Sequence, residues 1–233
     1  GAWWAGLVVV PINAKLHLKE LEFIASDSQA RVLFATDDLV ANRQAVRDAM
    51  PSLQTVLTPG SPDYDAAFAA EPLSPTHRQS DDLAWLFYTS GTTGRPKGVM
   101  QTHCNLYAMT SCYFSDVDSV DAGDAIVYAA PMSHGAGMYN FIFVAKAARH
   151  VVPESGGFDP AELISLSQDV GSLCMFAAPT MVKRLVEHIQ SCKAPVDGFK
   201  TIVYGGGPMY VEDIQLALQV MGPRFVQIYG QGE

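Results

Sequence analysis

Short apolar runs alternate along the chain with segments whose apolar residues recur three and four apart, which reads as strands and amphipathic helices in turn. Leu7 to Val10 is a strand candidate closed by Pro11. Leu18, Leu21 and Ala25 mark a helix through Ser28, Arg31 to Ala35 is a strand, and Asp37 or Asp38 can cap a helix reaching Met50. Leu53 to Leu57 is again extended, and Pro59 to Pro75 predicts a surface connection with a short helix at Tyr64 to Ala70. Leu83 to Tyr88 reads as a buried strand, Gly98 to Gln101 as extended, and Thr102 starts a helix through Ser115. Ala125 to Ala129 is a strand, after which Pro131-Met-Ser-His134-Gly135 leads into an apolar helix to about Ala148. Asp159-Pro160-Ala161-Glu162 carries an N-cap, an N1 proline and a glutamate at N3. Strands follow at Ser172 to Ala177, Thr201 to Tyr204 and Phe225 to Ile228. Between them lie a helix from Pro179 to Gln190 and one whose inner face is Val211, Ile214 and Leu218.

This alternation predicts an α/β fold of two subdomains, each a mostly parallel sheet flanked by helices. The aspartate-rich run Asp116 to Asp124 is the expected boundary, giving residues 1–118 and 119–233. Ligands of such sheets sit outside the carboxyl ends of the strands. The segments after Phe87, Ala130, Tyr204 and Ile228 all fall at such ends, which points to one shared site.

The most informative segment is Tyr88-Thr-Ser-Gly-Thr-Thr-Gly-Arg-Pro-Lys-Gly98. Glycines let backbone N–H groups approach an anion, and the hydroxyls of Thr89, Ser90, Thr92 and Thr93 add donors. Lys97 supplies a mobile point charge suited to phosphate, and Pro96 stiffens the exit. The Walker pattern fails, because Arg95-Pro96 separates Gly94 from Lys97 and Gly98 follows the lysine. A flexible Gly/Ser/Thr linker is the bland alternative; the preceding apolar strand and the placed Pro and Lys speak against it.

At these residues the chain resembles the adenylate-forming superfamily of AMP-binding acyl-CoA synthetases, aryl-CoA ligases, luciferases and peptide-synthetase adenylation domains. The resemblance runs from Gly6-Leu-Val-Val-Val-Pro11 to Glu233. It implies the central part of the large N-terminal domain, in a layered αβαβα arrangement incomplete at both ends. It also implies ATP-dependent activation of a carboxylic acid to an acyl-adenylate, followed by transfer to CoA. A carrier-protein-loading adenylation domain and a non-catalytic nucleotide-binding protein are the rival readings.

Tyr229-Gly230-Gln231-Gly232-Glu233 resembles the family's Tyr-Gly-x-Thr-Glu motif. There the tyrosine packs on adenine, the threonine meets the α-phosphate and the glutamate helps hold Mg²⁺; here Gly232 lacks the hydroxyl. The resemblance therefore assigns ATP or AMP to Thr89, Ser90, Gly91, Thr92, Thr93, Gly94, Lys97, Gly206, Gly207, Pro208 and Tyr229 to Gly232, and Mg²⁺ to Thr92 and Glu233. Lys97, His134 and Glu233 are the catalytic candidates. His134, Gly135, Ala136, Tyr204 and Gly205 are the acyl-pocket candidates. Gly205-Gly206-Gly207-Pro208 is equally a strand-to-helix turn, and His134 equally a first-turn histidine beside a capping Ser133. Met132, Met138, Tyr139 and Phe143 can line an acyl tunnel or simply fill core. The other five histidines show no metal-ligand spacing.

Composition narrows the classes. At 48% hydrophobic and 17% charged residues the chain is not mainly disordered, and a net charge of −9 argues against a nucleic-acid surface. Four cysteines without C-x-x-C spacing fit reduced thiols and a cytoplasmic setting. Gly1 to Ile12 is apolar but too short to span a bilayer and lacks a basic leader. The first residue is not Met, and the family's ribose-binding aspartate, hinge and C-terminal catalytic lysine are expected beyond Glu233. The chain thus reads as an inactive fragment of a fatty-acid- or aryl-acid-activating enzyme.

Overall fold

The computed structural model describes residues 1–37, 39, 46, 48–89 and 95–230. Packing divides the chain into two compact units, Gly1–Cys104 and Asn105–Glu233.

In the first unit α1 (Leu18–Asp27) starts at His17, whose imidazole accepts from Lys19 N while Glu20 reaches back to the His17 N–H. β1 (Val32–Phe34) and β2 (Thr55–Leu57) pair in parallel, with Val32 opposite Thr55. Ala25, Met50, Leu53 and Val56 form the core beside them. Val46, Asp48 and Ala49 are helical; the expected helix start at Asp37 or Asp38 lies largely outside the described residues. α2 (Pro62–Ala69) begins two residues earlier than Tyr64, because Ser61 caps it and Pro62 takes the first turn.

β3 (Leu83–Thr89) and β4 (Lys97–Thr102) form an antiparallel hairpin in a first unit expected to be mostly parallel. The expected strand at Leu7 to Val10 reduces to one parallel bridge, Val9 to Trp85. It is held by Val9 N to the Ala84 carbonyl and Leu86 N to the Val9 carbonyl, both at 3.0 Å. Leu7 and Val8 remain exposed, so apolar character there is not matched by a ladder. Trp3 stacks on Trp85 with ring centroids 5.7 Å apart and donates to the Ala84 carbonyl.

α3 (His103–Asp116) crosses the division between the units. The acidic run suggested a boundary after residue 118. In the second unit Tyr113 of α3 is buried among Ile126, Tyr128 and Tyr139.

The second unit is a five-stranded parallel sheet. Its strands are β5 (Ala125–Val127), β6 (Arg149–Val151), β7 (Leu173–Ala177), β8 (Phe199–Tyr204) and β9 (Phe225–Gln227), in the order β6-β5-β7-β8-β9. Both faces are covered, as parallel sheets require. Ala125, Val127, Leu173, Met175, Ala177, Ile202 and Tyr204 point into one cluster, and Ile126, Cys174 and Val203 into the other. α6 (Pro160–Val170), α7 (Pro179–Cys192) and α8 (Val211–Met221) supply Leu163, Leu185 and Ala217 to the first cluster.

Two expectations change here. The single apolar helix to Ala148 is two short helices, α4 (Gly135–Met138) and α5 (Asn140–Val144), meeting at Tyr139. Gly137 lies so close to the Met132 carbonyl that a Cβ would sit 1.8 Å from its oxygen, and the Asn140 amide folds back onto the Gly137 carbonyl. The chain then turns into β6, a strand not anticipated because Arg149 and His150 are exposed on an edge. The inner face of α8 is Ile214, Ala217 and Met221, whereas Val211 and Leu218 are exposed.

Before β5, Asp124 and Asp118 converge on β8. Lys200 Nζ lies 2.6 Å from Asp124 Oδ2 and donates to the Ser119 carbonyl, while Thr201 donates to Asp118. Burial pulls the Lys200 ammonium downward, but the Asp124 hydrogen bond and the Asp118 charge outweigh it and leave the group raised. Among the described residues no helix is long and apolar enough to cross a membrane.

Candidate functional site

The strand order makes the winding of the sheet reverse between the adjacent strands β5 and β7. A crevice opens at such a point outside the carboxyl ends of the strands. The loop after β5 carries Pro131, Ser133 and His134, and Ala178 alone joins β7 to Pro179, the first residue of α7. The glycine run follows β8, and Tyr229 follows β9.

His134 is exposed and stands at the N-cap position of α4 in extended conformation, making no side-chain cap. Ser133 does not cap the helix; its buried hydroxyl shares a 2.9 Å hydrogen bond with His134 Nδ1. Gly135 faces Phe176, and a Cβ on it would meet that ring at 3.4 Å. Phe176 is held in turn by Tyr139, 5.5 Å between centroids. Ala136, Tyr139 and Phe143 are buried, which makes the last two core, whereas Met132 is exposed and Met138 half-buried.

Phe176 was not anticipated from sequence. Its signal was the alternation along β7: Met175 and Ala177 serve one cluster, so Phe176 must face the other, beside α4.

Tyr204, expected at the acyl pocket, is buried in the first cluster, and its hydroxyl donates to Gln227 Oε1 at 3.4 Å. Gly205 is buried, and a Cβ there would meet the Ile228 carbonyl oxygen at 2.8 Å. Gly206, Gly207 and Pro208 are exposed, and Gly206 has φ +79°, the left-handed backbone that a strand-to-helix turn uses here. Tyr229 is 86% exposed and belongs to neither cluster. Gly230 has open space where a Cβ would be.

In the first unit, Thr89 and Lys97 form the last described rung of the β3–β4 hairpin, with Lys97 exposed. The rung beneath is Tyr88 opposite Gly98. Burial, then the hydrogen bond to Asp27, pushes the Tyr88 phenol well above its ordinary range. Ser90, Gly91, Thr92, Thr93 and Gly94, and likewise Gln231, Gly232 and Glu233, lie outside the described residues.

Among the described residues no three His, Cys, Asp or Glu side chains form a metal-binding group. A cavity of about 350 Å³ in the first unit, lined by Ile12, Leu21, Leu33, Phe34 and Tyr64 among others, contains none of the motif residues.

The family model for AMP-binding enzymes matches residues 1–233. The chain belongs to the AMP-binding enzyme family.

Similar proteins include a feruloyl-CoA synthase from an Amycolatopsis species, 31% identical over 229 residues, which cover 98% of this chain and 45% of that protein. A fatty acid–[acyl-carrier-protein] ligase, ScoC, of Streptomyces coeruleorubidus is 27% identical over 232 residues, covering 98% of this chain and 44% of the relative. The fold matches ATP-bound MatB from Rhodopseudomonas palustris with a TM-score of 0.84 at 23% identity, over 99% of this chain and 46% of that one. The chain thus spans about half the length of the curated relatives it matches.

Proposed function

We propose that the protein containing this chain activates a carboxylic acid with ATP and passes the acyl group to CoA, as an AMP-forming acid–thiol ligase. The observation that carries this reading is the segment Tyr88–Gly98, a phosphate-loop signature in a chain matched along its whole length by the AMP-binding family.

In the first step a carboxylate oxygen bonds to the α-phosphorus while the bond to the β-phosphate oxygen breaks and pyrophosphate leaves. In the second, a thiolate attacks the acyl carbon and AMP departs. The first step needs charge neutralisation and in-line placement more than covalent help. Lys97 offers a mobile ammonium to the phosphates, and Thr89 a hydroxyl on the same rung. His134, steered by Ser133, faces the carboxylate, with Gly135, Ala136 and Phe176 around the acyl group. The backbone at Gly206 and Gly207 gives a flat ligand a surface, and Tyr229 supplies an aromatic face for the base.

Thr92 and Glu233, to which the resemblance assigns Mg²⁺, lie outside the described residues, so no step is routed through the metal. A cytoplasmic location follows the same reading, as does use of a fatty or aryl acid.

The test is carboxylate-dependent pyrophosphate exchange by the full-length protein, followed by discharge to CoA or to a carrier protein. A panel of fatty and aryl acids is expected to yield exchange, and CoA to accept the acyl group. Lys97→Ala is expected to reduce ATP usage roughly ten- to a hundredfold, the scale of a hydrogen bond to a charged group. Unchanged ATP kinetics in a folded Lys97→Ala variant would remove the loop from its central role. Discharge to a carrier protein alone would favour the second reading, which the similarity to an acyl-carrier-protein ligase keeps in view.

A further inference from the structure

The hairpin that presents Lys97 is tied to a helix by a contact no motif announces. Tyr88 Oη donates to Asp27 Oδ2 at 2.6 Å, across sixty-one residues of sequence. Asp27 is the last residue of α1, which has no basic residue in its last turn. A carboxylate at the negative end of a helix is misplaced unless a donor meets it. The Tyr88 phenol meets it.

The ring of Tyr88 is equally constrained. It is buried and lies over its cross-strand partner Gly98, where a Cβ would stand 2.9 Å from Tyr88 Cζ. The ring therefore occupies the space a side chain on Gly98 would need, and its hydroxyl is fixed from outside the hairpin. Both strands are pinned at the rung directly below Thr89 and Lys97.

We infer that Asp27 is a positioning residue for ATP phosphate binding: through Tyr88 it fixes the end of the hairpin from which Lys97 reaches the phosphates. The inference rests on the proposed role of Lys97. It predicts a defect confined to ATP, because the tie acts on the hairpin that carries Lys97.

The experiment uses pyrophosphate exchange in the full-length protein, with separate KM values for ATP and for the best carboxylic acid. Asp27→Ala and Tyr88→Phe are each expected to raise the KM for ATP about three- to tenfold, less than a direct phosphate contact is worth because the tie acts only through Lys97. The KM for the acid should stay within about twofold. Asp27→Asn keeps an acceptor oxygen and should restore most of the ATP affinity. The Asp27→Ala/Tyr88→Phe double variant should be no worse than either single one, since both break the same bond.

A purely structural role would instead lower melting temperature and apparent kcat while leaving both KM values alone. That outcome overturns the inference, as do a parallel rise in the acid KM or additive effects in the double variant. Lys97→Ala separates the two levels. If it abolishes ATP usage while Asp27→Ala and Tyr88→Phe do nothing, only the positioning role fails. If Lys97→Ala itself is silent, the phosphate reading fails and takes the positioning role with it.

Discussion

At Gly205 one methyl group would meet the Ile228 carbonyl oxygen at 2.8 Å, whereas at Gly207 the same methyl would find Pro179 at 3.9 Å, an ordinary contact. Gly205→Ala is therefore expected to cost about 1–3 kcal/mol as an overpacked core position, read as a lower denaturant midpoint of the full-length protein. Gly207→Ala should leave that midpoint unchanged. It then becomes a clean probe of the proposed ligand wall: a raised KM for ATP or acid with intact stability supports it, and unchanged kinetics would take Gly207 out. The sequence presents the three glycines as equivalents. Their different tolerances come from Ile228 and Pro179, contributed by other strands and helices. His134 teaches the same lesson. Its neighbour Ser133 looked like a helix cap and is a partner for the imidazole instead, because His134 itself occupies the N-cap position and leaves Ser133 one residue outside it.

Elements here were legible where one face is buried and one is wet. α1, α6 and α7 carry clear periodicity, and the start of α6 was legible in Asp159 and Pro160, whereas the His17 cap of α1 emerged only in the structure. β6 was not legible, since three residues on an exposed edge carry no apolar pattern. The break between α4 and α5 was hidden for a different reason: it depends on the Met132 carbonyl meeting Gly137. The tie between the turn before β5 and β8 is equally non-local. Lys200→Met should cost about 2–3 kcal/mol, because Asp124 is buried and would lose its closest cation. Thermal or urea unfolding of the full-length variant measures this. A shift below about 0.5 kcal/mol would mean that Ser119, Asp121 and water satisfy the network without the ammonium.

On the scale of the whole molecule, the resolved titration shifts act mostly in one direction. Burial pushes the Cys174 thiol from 9.0 up to about 12, and it raises Tyr113, Tyr128 and Tyr139 as well as Tyr88. In the unfolded chain these groups release protons first, so above their ordinary values the unfolded state binds fewer protons and stability falls with pH. Lys200, raised by its carboxylates, has the same sign: its contribution is complete below 10.5 and is lost as the pH rises through its folded value. Denaturant midpoints should accordingly decline from about pH 9 upward, and Cys174→Ala should remove the earliest part of that decline. A flat profile between pH 8 and 11 would show that the buried phenols and thiol are reached by water. The sequence by itself determined the α/β alternation, the phosphate-loop signature and the family, because periodicity and motif chemistry are local and travel with the residues. Only the tertiary structure decided the antiparallel hairpin under Lys97, the reversal of strand order beside His134, and the Asp27–Tyr88 tie. Each of these joins residues far apart in the chain, and which distant partner wins is settled by packing, about which neighbouring residues carry no information.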